Sequence, residues 1–150
     1  MSIRVATEKD VPEMVRLSSL MHAESAYSKF NFDAVKLTNN FTFWVKSPDY
    51  FVAIAKNDAE ETVGGYCGYV TEYFFGKDLI ACDLGLFIDP NHRGGMTAVR
   101  LVKAFEDWAK SKGVKEVCPG TTTMVAPERT SRMYELLGYK VVGSIFKKEV

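Results

Sequence analysis

The chain has 150 residues, enough for one domain with a real hydrophobic core. Hydrophobic residues make up 47% and charged residues 25%, and 19 basic residues balance 19 acidic ones. A net charge of zero argues against a general nucleic-acid or membrane-surface binder, and no apolar run has the length of a membrane span.

In chain order, Ser2 to Ala6 is β-prone, and Thr7 with Asp10 forms an approximate capping box for a first helix that ends near Ala23 to Ser25. The opening residues lack the basic start and apolar core of a signal peptide. Residues 24 to 32 read as a loop, and its Tyr27, Phe30 and Phe32 either anchor it to the core or line a pocket. Asp33 caps a second helix, Ala34 to Lys46, which Pro48-Asp49 stops. Three strands joined by short polar turns follow, at Tyr50 to Lys56, Thr62 to Phe75 and Leu79 to Ile88, and predict an antiparallel meander. Gly64, Gly65 and Gly68 inside the second of these mark a bulge or a close approach.

Thr97 to Lys112 is the most strongly periodic segment, with Leu101, Val102, Phe105, Trp108 and Ala109 on one face. Val114 to Cys118 is a short strand, and a strand-helix-strand crossover of this length makes it parallel to Leu79 to Ile88. A last helix, Glu128 to Leu137, and a last strand, Tyr139 to Lys147, complete the order β-α-α-β-β-β-α-β-α-β. The expectation is a single α+β domain over residues 1 to 150, in three layers. Cys67, Cys82 and Cys118 are an odd number without metal spacing. They predict free, buried thiols in a reducing cytoplasm, and no metal site is expected.

The stretch from Asp83 to Ala98 carries the chemistry: an apolar strand, a stop at Asp89-Pro90, a Gly94-Gly95 turn and a helix start. The first N–H groups of a helix lack internal acceptors and carry partial positive charge, and glycines let a phosphate approach them. A second motif is Arg132-Met133-Tyr134-Glu135-Leu136-Leu137-Gly138-Tyr139. In this order and at this separation, the two motifs resemble those of the GNAT superfamily of N-acetyltransferases. Arg93 and Ala98 match the ends of the family's phosphate loop. Met133, Tyr134, Gly138 and Tyr139 match its C-terminal helix motif. Met96 stands where the loop usually has glycine, and Pro127 and Thr130 stand where the family often has Asn and Ala.

The resemblance implies a three-layer α/β/α sandwich whose mixed, mostly antiparallel sheet splays between two central parallel strands. It implies acetyl-CoA as acetyl donor and a primary amine on a small molecule, peptide or protein as acceptor. Backbone groups of Leu86, Phe87 and Ile88 would pair with the pantetheine. The amides of Arg93, Gly94, Gly95, Met96, Thr97 and Ala98 would hold the diphosphate. Tyr134 would protonate the departing thiolate. The base that frees the amine is left open between Asp83 and Glu72, with His22 as another candidate. Asp83 is either functional or ion-paired at the sheet edge, and Glu72 is either a base or solvated. His92 beside the loop reads as a surface residue. The resemblance and the frequency of two-fold assemblies make a homodimer the expectation. The alternatives are a non-catalytic acyl-CoA-binding or regulatory module on the same fold, and a structural or interaction protein.

Overall fold

A computed structural model describes residues 1–150. Its elements are β1 (Ser2–Val5), α1 (Val11–Glu24), α2 (Ala34–Trp44), β2 (Tyr50–Lys56), β3 (Thr62–Glu72), β4 (Leu79–Ile88), α3 (Thr97–Ser111), β5 (Glu116–Cys118) and α4 (Pro127–Leu136). They build one five-stranded sheet in the order β1-β2-β3-β4-β5, antiparallel throughout except for the parallel pair β4–β5. The meander and the parallel crossover follow the sequence pattern.

Strand alternation divides the core between the two faces. Phe51, Ala53 and Ala55 of β2 pack with Leu101, Val102, Phe105 and Ala109 of α3. Val52 and Ile54, one residue out of phase, pack with Met14 and Leu17 of α1 and Phe41 of α2. Because successive side chains point to opposite faces, one apolar strand serves both layers. Each fully buried Leu, Phe or Met contributes roughly 1.5–3 kcal/mol relative to exposure, which holds both helix layers to the sheet. The interior glycines of β3 make room for this packing. A Cβ on Gly65 would meet the Met14 sulfur at 2.5 Å, and one on Gly68 would meet the Phe105 ring at 2.5 Å.

Local signals set the helix starts. The Asp10 carboxylate accepts the Thr7 amide at 2.8 Å and pairs with Arg4, also at 2.8 Å, which fixes the chain entering α1. The Asp33 carboxylate accepts the Lys36 amide at 2.9 Å and caps α2.

Three expectations are corrected. Strand β3 ends at Glu72, because the backbone turns through Tyr73 to Lys77 before β4. Strand β5 is only Glu116–Cys118, with Lys115 giving its amide to Leu79 at 2.8 Å before the ladder begins. Tyr139 to Lys147 forms no strand: the backbone of residues 140–146 makes no hydrogen bond. The parallel pair therefore lies at the edge of the sheet rather than at its centre.

Candidate active site

Strands β4 and β5 pair only at Ile80–Glu116, Ala81–Val117 and Cys82–Cys118. Beyond Cys82 the β5 side of β4 has no strand partner, and the two chains diverge. At the point of divergence the Asp83 carboxylate accepts the Gly120 amide at 2.9 Å. Opposite, a bulge on β4 leaves Leu84 unpaired, since Cys67 faces Gly85 and Gly68 faces Asp83.

The gap opens into a cleft of about 240 Å³. Leu86 and Ile88 of β4 form one wall, and Val125, Ala126 and Met133 form the other. Arg93, Gly94, Gly95, Thr97 and Ala98 close its end, with His92 and Arg129 beside them. Phe87 alternates to the opposite face, so only its backbone borders this gap. Met96 is exposed and its side chain lies off the cleft.

The turn before α3 has a specific construction. Asp89 is buried, and its carboxylate accepts the Asn91 amide at 3.0 Å and the Arg16 guanidinium at 2.9 Å. These contacts, led by the Asn91 amide, hold its pKa below the usual carboxylate range despite burial. Arg16 also donates to the Thr62 carbonyl at 2.7 Å, so α1, β3 and the turn are locked together. Gly94 then takes φ +103°, a backbone state that disfavours any side chain. None of the backbone N–H groups of residues 93–99 finds an acceptor in the chain. An array of free donors at a helix N-terminus, at the end of a cleft and flanked by two arginines, suits an anion with several oxygens. Arg93 meanwhile pairs with Glu24 at the end of α1, with Nη1 to Oε2 at 3.0 Å.

Below the cleft lies a group of buried phenols. Tyr134 is 8% exposed, packs edge-on against Tyr139 at 5.4 Å, and lines neither this cleft nor the next. Burial first, and the Asp83 charge second, push its pKa well above the normal phenol value, so it is fully protonated at neutral pH. Tyr66 is wholly buried; its hydroxyl has no partner at full hydrogen-bond geometry, but it lies close enough to the Tyr134 hydroxyl to oppose part of that rise. Asp83 is pushed up to about 6 by burial, against the opposing pull of the Gly120 amide. Glu72 is not brought here. It is exposed and pairs with Leu79 at the other end of the β3–β4 ladder.

A second, wider cleft of about 650 Å³ lies on the α1–α2 side and shares Met21 with the first. Phe32, Leu37, Trp44, Leu84 and Phe87 make it largely apolar, and the bulge is what turns Leu84 into it. His22 borders it and bonds the Phe30 carbonyl at 2.9 Å. The loop of residues 25–33 is tied across the gap: Ala26 donates to the Thr123 carbonyl at 2.8 Å, and the Tyr27 hydroxyl to Thr122 at 2.7 Å.

A family model described as the acetyltransferase (GNAT) family matches residues 17–139. The chain belongs to the GNAT acetyltransferase family. Solved structures agree in fold. A variant of the BH1408 protein from Bacillus halodurans superposes with a TM-score of 0.83 at 18% identity, covering 100% of this chain and 99% of that one. A protein from Bacillus halodurans C-125 described as a transcriptional regulator gives 0.79 at 26% identity, covering 99% of each chain. An aminoglycoside 6'-N-acetyltransferase from Acinetobacter haemolyticus gives 0.75 at 17% identity, covering 100% and 99%. No curated protein matches by sequence.

The site also contains residues that the sequence pattern does not flag. Arg129 and Ala126 flank the cleft at the start of α4, with Ala126 in a left-handed conformation at φ 45°. Helical spacing offered a faint signal, since Ala126, Arg129, Thr130 and Met133 share one face at three- and four-residue steps. No helix of the protein is long and apolar enough to cross a membrane.

Proposed function

We propose that this GNAT-family chain is an acetyl-CoA-dependent N-acetyltransferase that moves the acetyl group directly onto a primary amine, both substrates being bound together. The observation that carries this reading is the run of acceptor-less amides at residues 93–99, at the end of a cleft bounded by the unpaired edge of β4. Acetyl-CoA would bring an activated acyl thioester. The amides of Arg93, Gly94, Gly95, Met96, Thr97 and Ala98 would hold its diphosphate, with Arg93 and Arg129 adding charge. The open edge of β4 at Leu86, Phe87 and Ile88 would bond the pantetheine amides as a strand would.

Asp83, at the apex of the gap, has the pKa of a base that is mostly ionised at neutral pH and would take the amine's proton, directly or through water. Tyr134, which lies beneath the cleft rather than in its lining, would donate a proton to the departing thiolate where the inner end of the pantetheine reaches down to it. The proton lost at the amine and the proton gained at sulfur then balance. The wider cleft would hold the acceptor. Its volume lies within the usual range for small-molecule sites, roughly 300–1,000 Å³. Among its charged residues Asp33 is already committed to capping α2, and Lys36 is cationic. This favours an amine on an apolar or aromatic body over a polycation. The free thiols fit a cytoplasmic setting.

Calorimetric titration with acetyl-CoA, followed by a panel of apolar monoamines, polycations and peptides assayed for free-thiol release, tests the reading. Binding with amine-dependent thiol release supports it. Binding without release on any amine would favour a non-catalytic coenzyme-binding module, and absence of binding would exclude both.

A further inference from the structure

A primary amine of the chain itself is fastened to the wall of the wider cleft. Lys147 donates to the Tyr27 hydroxyl at 2.8 Å, and its ammonium stands 4.0 Å from the Tyr27 ring centre. Hydroxyl and ring together hold a cation. Tyr27 lines the cleft, and its own hydroxyl donates to Thr122, another lining residue, at 2.7 Å. Lys147 is not part of that wall but reaches Tyr27 from the chain after α4. From Tyr27 the contacts lead inward. Thr122 stands two residues from Gly120, whose amide bonds Asp83 at the root of the gap. Two residues of chain span at most about 7 Å.

The segment that carries Lys147 is free to advance. The Tyr139 hydroxyl donates to Glu106 at 2.7 Å, and beyond that anchor residues 140–146 make no backbone hydrogen bond. Residues 140 to 147 reach about 26–29 Å when extended. A short tether of this kind keeps its amine at an effective concentration on the order of millimolar. Glu149 pairs with Lys29, so the segment and the loop of residues 25–33 meet a second time beside the cleft. Two other lysines are instructive. Lys36 borders the same cleft, but its backbone is fixed in the first turn of α2, where its amide bonds Asp33. Lys148 is as exposed as Lys147 and touches no lining residue of the cleft through Tyr27.

We infer, on the basis of the acetyl-CoA chemistry proposed above, that Lys147 is an acetylation site and that the chain's own active site modifies it in cis. The Lys147 ammonium gives a proton to the base, and the neutral Nζ attacks the thioester carbonyl. The N–C bond forms, the C–S bond breaks, and the departing thiolate takes the proton of Tyr134. The product is an uncharged amide. It no longer offers a cation to the Tyr27 ring, so modification loosens the hold of the segment on the acceptor loop.

Incubation of the full chain with acetyl-CoA and no added amine, followed by peptide mass spectrometry, tests the inference. The expected result is one acetyl group per chain, on Lys147, at a rate per chain that is independent of protein concentration. Tyr134→Phe should lower that rate by about 10²-fold or more. Lys148 is the internal reference, because uncatalysed acetylation by the thioester reaches both exposed amines alike. Equal labelling of Lys147 and Lys148, labelling of Lys36 instead, a rate proportional to protein concentration, or labelling that Tyr134→Phe leaves unchanged would overturn the inference. Should Tyr134→Phe not fold, Tyr27→Phe decides. It keeps the ring and removes the oxygen that accepts from Nζ, so Lys147 labelling should fall by about 3–10-fold, the worth of one hydrogen bond, with Lys148 unaffected. An unchanged Lys147 rate in that variant refutes the cis site. Acetylation of added amines with Lys147 unlabelled overturns this inference and leaves the proposed function standing, whereas absence of both removes the two together.

Discussion

The Asp83 carboxylate accepts the Gly120 amide at 2.9 Å, at the place where β4 and β5 stop pairing. One side chain therefore spans the root of the cleft, and its pKa of about 6 makes its charge sensitive to pH. As the proposed base, it should give the rate an acidic limb with a midpoint near 6. Asp83→Asn keeps an oxygen for Gly120 but cannot take a proton. The expected outcome is loss of that limb and a fall in kcat/KM of about 10²-fold or more. A wild-type pH profile in the Asn variant would leave Asp83 with only the Gly120 contact. The stability sign is fixed independently. The folded pKa lies above the unfolded value of about 3.9, so the contribution is full below pH 4 and is lost as pH rises through about 6. Asp83→Asn should thus gain stability relative to wild type at pH 8, and the difference should vanish below pH 4 in urea titrations.

Arg93 occupies the proposed diphosphate site while paired with Glu24. A bound diphosphate would have to compete for that guanidinium and would lie near the Glu24 carboxylate. Glu24→Gln should therefore tighten acetyl-CoA binding by about 3–10-fold at low ionic strength, in line with the ~1 kcal/mol of a partly exposed ion pair. The gain should shrink in 0.5 M salt as charges are screened. Calorimetry at two salt concentrations checks this, and weaker binding by the variant would mean that Glu24 orients Arg93 instead.

Gly94 holds φ +103° in the turn, and a Cβ there would meet only the Arg129 guanidinium, at an unstrained 4.0 Å. The obstacle to a side chain is conformational rather than steric. Gly94→Ala should cost about 1–2 kcal/mol of stability through the positive φ. It should also weaken acetyl-CoA binding, because relaxing that φ turns the neighbouring amides away from a common centre. Gly95→Ala, at a position without positive φ and with nothing within 4 Å of the added Cβ, is the control and should change stability by much less. Thermal melts and titrations of the two variants make the comparison.

Much of this arrangement was legible in the sequence, for physical reasons that differ by element. The stripe Leu101, Val102, Phe105 and Ala109 repeats at the helical period, and all four residues are buried. Short polar turns left the β2–β3–β4 meander little choice. The Gly94-Gly95 turn was readable because a strand stop and a helix start bracket it. The last strand was misread because the apolar pairs Val141-Val142 and Ile145-Phe146 report what the segment would bury, not what this chain can offer to cover it. Glu72 was misplaced because it pairs with Leu79 beside the turn whereas Gly68 faces Asp83, so four strand residues separate it from the root of the cleft, and the sequence does not show which residues face each other. Arg129 and Ala126 escaped notice because they reach the cleft across the gap from another layer, which no local pattern encodes.

Tyr66 and Tyr134 make the sharpest pair for mutation, since both are buried phenols beside Asp83 and each has a different expected fate. The Tyr66 hydroxyl is enclosed without a partner, and an unsatisfied buried hydroxyl costs about 1–3 kcal/mol. Its ring packs against Phe105 at 4.7 Å, tilted by 34°, so Tyr66→Phe keeps the packing and removes that cost together with the hydroxyl's contact to Tyr134. That variant should melt at a higher temperature than wild type with turnover little changed. Tyr134→Phe also keeps its edge-on contact with Tyr139, but it removes the proposed proton donor. Its turnover should fall by about 10²–10⁴-fold while acetyl-CoA affinity stays at the wild-type value. If Tyr66→Phe instead loses turnover as Tyr134→Phe does, the unpartnered hydroxyl belongs to the proton path, and its burial without a hydrogen bond is the cost of keeping it there.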